Sequence, residues 1–123
     1  DANQLDRLAD EVLAPEFRLH VDSNPEVDRN HGVELLRMFL TAFPGIAHDI
    51  QDQFGEGDRV ATRIVARGTH GSDLRGMPAT GREIAIAAIY IHRVEDGRIV
   101  EQWVVSDGAG MMRQLGAIPE PAA

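Results

Sequence analysis

Leu5, Leu8, Val12 and Leu13 recur at helical spacing, which predicts an amphipathic helix halted before Pro15. Phe17-Arg18-Leu19-His20-Val21 alternates as a short strand does, and residues 22–30, polar and carrying Pro25, predict a loop. A second helix follows, with Leu35, Leu36, Phe39, Leu40 and Phe43 on one face, Asp28 or Asn30 as its cap and Pro44-Gly45 as its stop. From His48 the period changes to two. Ile50 and Phe54 share a face ahead of a Gly55-Glu56-Gly57-Asp58 turn. Val60, Thr62, Ile64, Ala66 and Gly68 then alternate with Arg59, Ala61, Arg63, Val65 and Arg67, so the next strand has an apolar face and an arginine face. A loop over 71–81 leads to a long strand over 83–95, the hairpin turn Asp96-Gly97 and a return strand over 98–106. A short helix over 108–115 and a frayed Pro/Ala tail complete the pattern.

The hairpin carries the candidate chemistry. If Asp96-Gly97 are the two central residues of a tight turn, every opposed pair sums to 193. One face then holds Val94/Ile99, His92/Glu101, Tyr90/Trp103, Ala88/Val105 and Ile86/Asp107, because opposed residues share a side. The other holds Arg93/Val100, Ile91/Gln102, Ile89/Val104 and Ala87/Ser106. The first face has the only tryptophan and tyrosine of the chain, with a histidine and two acids among aliphatic residues. Apolar walls with a few convergent polar groups are the composition of a ligand pocket, and such walls raise a carboxyl pKa toward the range useful for proton transfer. A longer hairpin loop would break these pairings.

With 123 residues, 43% hydrophobic and 26% charged, the chain is expected to form one α+β domain over 1–123. The absence of cysteine excludes disulfides, thiolate metal sites and cysteine nucleophiles, and agrees with the cytoplasm as the default location. A net charge of -8 without a basic stripe opposes nucleic-acid and anionic-membrane roles, and no apolar run approaches a membrane span. The chain begins at Asp1 without a methionine, so a removed leader would leave no trace here.

Each candidate has a plainer reading. Asp107, just before Gly108, suits a helix N-cap as well as an acid/base, and His92 with Glu101 suits a cross-strand ion pair. Trp103 and Tyr90 are core residues unless a cavity adjoins them. His20 sits among apolar neighbours, as a pocket residue or a satisfied core or edge histidine; His70 either gates a pocket mouth or sits in a turn. No local histidine pair supports a metal site. Arg59, Arg63 and Arg67 read as a solvated or dimer-facing surface. Neither a Walker sequence nor a Ser-His-Asp pattern is present.

Several segments, in order, carry a resemblance: Phe43-Pro44, Gly57-Asp58-Arg59-Val60, Arg67-Gly68-Thr69-His70-Gly71, Gly76-Met77-Pro78-Ala79-Thr80-Gly81, the run from Arg93 through Asp96-Gly97 to Trp103, Asp107, and Gln114-Leu115-Gly116. Together they resemble the SnoaL-like polyketide cyclases, within the NTF2-like superfamily. The resemblance implies a cone: a bent antiparallel sheet wrapped by N-terminal helices around a central pocket, with dimerisation through the sheet. It also implies a cofactor-free aldol ring closure, with an acid/base at Asp107 assisted by a histidine at His92.

The expected function is therefore a cofactor-independent cyclase or isomerase acting on a small hydrophobic carbonyl compound. Asp107 and His92 would be catalytic, with Trp103, Tyr90, Glu101, His20, Ile86, Val105 and Phe39 lining the substrate. Neither cofactor nor metal is expected. The expected partner is a small hydrophobic molecule, and a homodimer is expected through an outer face bearing Ile89, Ile91 and Val104. Two other readings stay open: a non-catalytic ligand-binding or dimerisation module of the same fold, and a small epoxide hydrolase, for which no second aspartate lies beside Asp107.

Overall fold

The computed structural model describes residues 2–119; the last residues of the expected tail lie outside them. Helix α1 (Ala2–Val12) leads directly into strand β1 (Leu13–Val21). The helix thus ends two residues short of the expected stop before Pro15, and the strand begins four residues ahead of Phe17. Pro15 falls inside β1, where the pairing with the strand over Arg98–Ser106 shifts between Leu13 and Arg18, and an irregularity of this kind tolerates a residue without an N–H. A two-residue strand β2 (Val27–Asp28) pairs with β1 inside the stretch expected to be loop. Helix α2 (Arg29–Ala42) starts on Asp28, whose carboxylate accepts the His31 N–H, and it ends before Pro44 as expected.

Four longer strands and one helix complete the chain: β3 (Ala47–Glu56), β4 (Arg59–Thr69), β5 (Glu83–Glu95), β6 (Arg98–Ser106) and α3 (Gly108–Leu115). The six strands form one sheet in the order β2-β1-β6-β5-β4-β3. Its β3–β4–β5–β6 meander is antiparallel, and β1 joins β6 in parallel, the one departure from the expected antiparallel sheet. At the β5–β6 hairpin Asp96 and Gly97 both have positive φ, 51° and 76°, as a tight two-residue turn requires.

One face of this sheet carries the helices. Gly32 of α2 sits so close to Phe17 and Leu19 that an added Cβ would stand 3.4–3.5 Å from their side chains. Thr62, Ile64, Ile84, Ile86 and Ala88 are buried on the same side, so alternate residues of β4 and β5 point toward the helices. Ala42, Phe43, Leu74, Ile84, Ile86 and Leu115 form the core between the end of α2, the loop after β4 and α3. Among the described residues no helix is long and apolar enough to cross a membrane.

Candidate functional site

The β5–β6 register decides which side chains can share a pocket. Glu95 pairs with Arg98 and Val94 with Ile99, as the turn demands, but Arg93 then pairs with Glu101, leaving Val100 as an extra residue. This β-bulge adds one to every later pair: His92 faces Gln102, Ile91 faces Trp103, Tyr90 faces Val104, Ile89 faces Val105 and Ala88 faces Ser106. The expected pairs Tyr90/Trp103, His92/Glu101, Ala88/Val105 and Ile86/Asp107 therefore do not form. The physical reason is in the adjacent apolar residues Ile99 and Val100. Strict alternation would push one of them into water, whereas the bulge keeps Val100 buried at 4% exposure.

The slip moves half of the expected pocket to the other side of the sheet. Tyr90, His92 and Ile86 keep the helix-facing side, with Ile86 in the core. Glu101, Trp103 and Val105 turn away from the helices and join Arg93, Ile91 and Ile89. His20 pairs in register with Trp103 and goes with it. On that outer face the rings of His20 and Trp103 stack at 5.1 Å, and the Arg59 guanidinium lies 5.0 Å from the Trp103 ring centroid. His20 Nε2 lies 2.7 Å from Glu101 Oε2, and Arg93 donates to Glu101 Oε1 at 3.2 Å. Desolvation alone would raise the Glu101 carboxyl, but the hydrogen bonds from His20 and Arg93 outweigh it and hold the pKa below the usual value.

Glu26 brings a second carboxylate to this cluster, so His20, Glu26 and Glu101 offer three donor atoms within 4.8 Å of one another. Arg18 and Arg93 already pair with the two glutamates, and a cation would have to compete with both guanidinium groups.

The helix-facing side keeps a smaller polar group. Tyr90 and His92, two residues apart on β5, stack at 5.9 Å with 13° between their planes. Burial lowers the His92 pKa, against a hydrogen bond with Gln102 that raises it, and burial raises the Tyr90 pKa. At neutral pH these are a neutral imidazole beside a protonated phenol. Thr62 is the cross-strand partner of Tyr90, and its hydroxyl accepts from Gln53 Nε2 at 3.0 Å, which leaves its own hydrogen free to donate. Gln102, Thr62 and Gln53 were not singled out in the sequence. The adjacent apolar pair Ile99-Val100 was the signal that would have brought Gln102 to this face.

Asp107 stands apart from this group. Its N–H donates to Ala87 O at 3.1 Å, five residues along β5 from His92, which is about 16 Å at the strand rise. Its exposed carboxylate accepts the Gly110 N–H at 2.8 Å and so caps α3. A side chain at Gly110 would collide with that carboxylate. One turn further along α3, Met111 and Met112 line a groove of about 280 Å³ with Phe39, Leu74, Arg75 and Met77. The expected substrate residue Phe39 thus has a cavity beside it, away from the Tyr90–His92 pair.

The six-stranded sheet, the helices on one of its faces and the order of elements can be set beside known proteins. The family model for SnoaL-like polyketide cyclases matches residues 2–115. The chain belongs to that family. Aklanonic acid methyl ester cyclase DnrD of Streptomyces peucetius is 34% identical to this SnoaL-like chain over 101 residues, 78% of this chain and 68% of that protein. The structure of IdmH from Streptomyces antibioticus superposes with a TM-score of 0.75 at 32% identity, covering 94% of this chain and 99% of its own. A SnoaL-like protein of Jannaschia sp. CCS1 superposes at 0.84, covering 92% of this chain and 79% of its own. At 21% identity it speaks for the α+β fold alone.

Proposed function

We propose that this SnoaL-like chain is a cofactor-independent cyclase that closes a ring in a small hydrophobic carbonyl compound, with His92 as the proton carrier. The observation that carries the reading is the neutral, half-buried imidazole stacked on a phenol on the helix-facing side of the sheet. His92 takes a proton from the carbon α to one carbonyl. The enolate carbon attacks a second carbonyl of the same molecule and forms the C–C bond of the ring. The resulting alkoxide recovers the proton from the imidazolium, so substrate and product are isomers and no redox partner is consumed. Tyr90 O–H and the Thr62 hydroxyl are the donors available to the enolate and alkoxide oxygens. Burial keeps the Tyr90 proton in place for that role.

Asp107, to which the family resemblance assigns acid/base work, serves in this mechanism as the cap of α3. Epoxide hydrolysis by paired acids finds less support, because no Asp or Glu of β4, β5 or β6 alternates onto the helix-facing side. A ligand-binding module without catalysis is the second reading, favoured by the commitment of the Asp107 carboxylate to backbone. The deciding experiment offers the protein a panel of polyketide-like keto esters and follows ring closure as an isomer of unchanged mass. Turnover that disappears in His92→Gln supports the cyclase; saturable binding without turnover across the panel supports the module.

We also propose a homodimer through the outer sheet face. Phe54, Ala61, Ile91, Trp103 and His20 are successive cross-strand partners and make a transverse row across five strands. Phe54 is 72% exposed, and Ile89 and Val105 beside the row are also exposed. Val105, rather than Val104 as the unbulged register had it, belongs to this face; Val104 faces the helices opposite Tyr90.

A further inference from the structure

The groove between the end of α2, the loop after β4 and α3 has a chemistry that the cyclase mechanism does not use. Its walls are Phe39, Leu74, Met77, Met111 and Met112, and its only charged lining residue is Arg75. Three of the chain's four methionines are gathered here. Methionine is flexible and polarisable, adapts to irregular shapes and makes favourable sulfur contacts with aromatic rings, so these walls favour an aromatic body over a branched aliphatic one. The volume, about 280 Å³, is at the small end of ligand pockets and suits one or two fused rings.

Arg75 gives this groove a preferred charge. The protein carries a net charge of -8, and Arg18, Arg29, Arg37, Arg63, Arg67 and Arg93 are all engaged by carboxylates. Arg75, like Arg7, Arg59, Arg82, Arg98 and Arg113, makes no ion pair among the described residues, and of these it alone lines the groove. It occupies a tight turn closed by reciprocal backbone hydrogen bonds between Leu74 and Met77, of 2.9 and 2.8 Å, and it has a φ of +48°. The nearest acid in sequence, Asp73, accepts from the Gly76 N–H of the same turn. The turn thus places an exposed Arg75 among the residues that line an apolar groove, and an Arg fork matches a carboxylate in two-point geometry.

We propose that this groove is a binding site for a small aromatic carboxylate, its ring against Met77, Met111 and Met112 and its carboxylate paired with Arg75. The site goes beyond the cyclase reading and does not depend on it. A ligand of this class carries a free acid.

The test uses 2-naphthoate and its methyl ester as probes, with the protein labelled at its methionine methyl carbons. Titration with 2-naphthoate is expected to shift the Met77, Met111 and Met112 methyl resonances saturably, leaving that of Met38, which packs against the core and does not line the groove, in place. In Arg75→Gln the affinity for 2-naphthoate is expected to drop about two- to fivefold, the scale of an exposed ion pair. The ester is expected to bind both proteins alike, at the level of the acid on the variant. Equal affinity for acid and ester, an unchanged affinity in Arg75→Gln, or no saturable shift of the groove methyls at millimolar 2-naphthoate would each overturn the proposal. Binding is also measured on His92→Gln, where it should be unchanged. A failure of the cyclase reading then leaves this result standing, and the reverse holds too.

Discussion

Replacing His92 by glutamine removes the base and keeps a group able to hydrogen-bond Gln102. Two effects follow, and their sizes separate them. The stack of His92 on Tyr90 is lost, worth about 0.5–1.5 kcal/mol for a ring pair. Against a stability on the order of 5–15 kcal/mol for a domain, the variant stays folded, with a melting temperature lower by roughly 2–8 °C. The proton-transfer loss is much larger. A positioned acid/base contributes about 10²–10⁴ in rate, or roughly 3–5 kcal/mol of barrier at about 1.4 kcal/mol per tenfold. The assay pairs thermal unfolding with turnover on a keto ester that the wild type cyclises. A fall in kcat of at least a hundredfold with a small drop in melting temperature is the expected result. A variant within about threefold of the wild-type rate would refute the role of His92, and a proportionate loss of both quantities would show it to be structural.

Four further outcomes follow from the same geometry. Because burial holds the His92 pKa below its ordinary 6.5, kcat/KM should rise with pH through a value under 6.5 and stay flat above it, which a pH–rate profile reads directly. The unfolded chain binds that proton more readily than the folded one, so stability should fall as pH drops from 6.5 through the folded pKa. Glu101, depressed from 4.5, should add a loss of the same sign further down, and pH-dependent unfolding of His92→Gln should lack the first step only. Asp107→Ala should cost about 1 kcal/mol and Asp107→Asn less, both retaining turnover, if the carboxylate is only a cap; a fall of about 10²–10⁴ in Asp107→Asn would restore it to the mechanism. Ile89→Asp, at an exposed position of the outer face, should leave a monomer at concentrations where light scattering finds the wild type dimeric, and a monomeric wild type would remove the interface proposal.

Much of this protein is legible in local pattern, because local pattern is what helices and strands obey. The period-two run of β4, the helical spacing of α2 and the φ preference of Asp96-Gly97 are local properties, and the elements they predict form where expected. The dispersed motifs from Phe43-Pro44 to Gln114-Leu115-Gly116 were enough to place the chain in its family. The site was less legible, since a pocket depends on which strand positions face each other. A single extra residue at Val100 reverses the side of Glu101, Trp103 and Val105, and it leaves Tyr90 and His92 facing the helices with Gln102. The incentive for that bulge is the burial of Val100, which depends on packing between elements distant in the chain. The methionine groove has the same origin: Phe39, Met77 and Met111 come from a helix, a loop and another helix, and only tertiary packing sets them around one cavity.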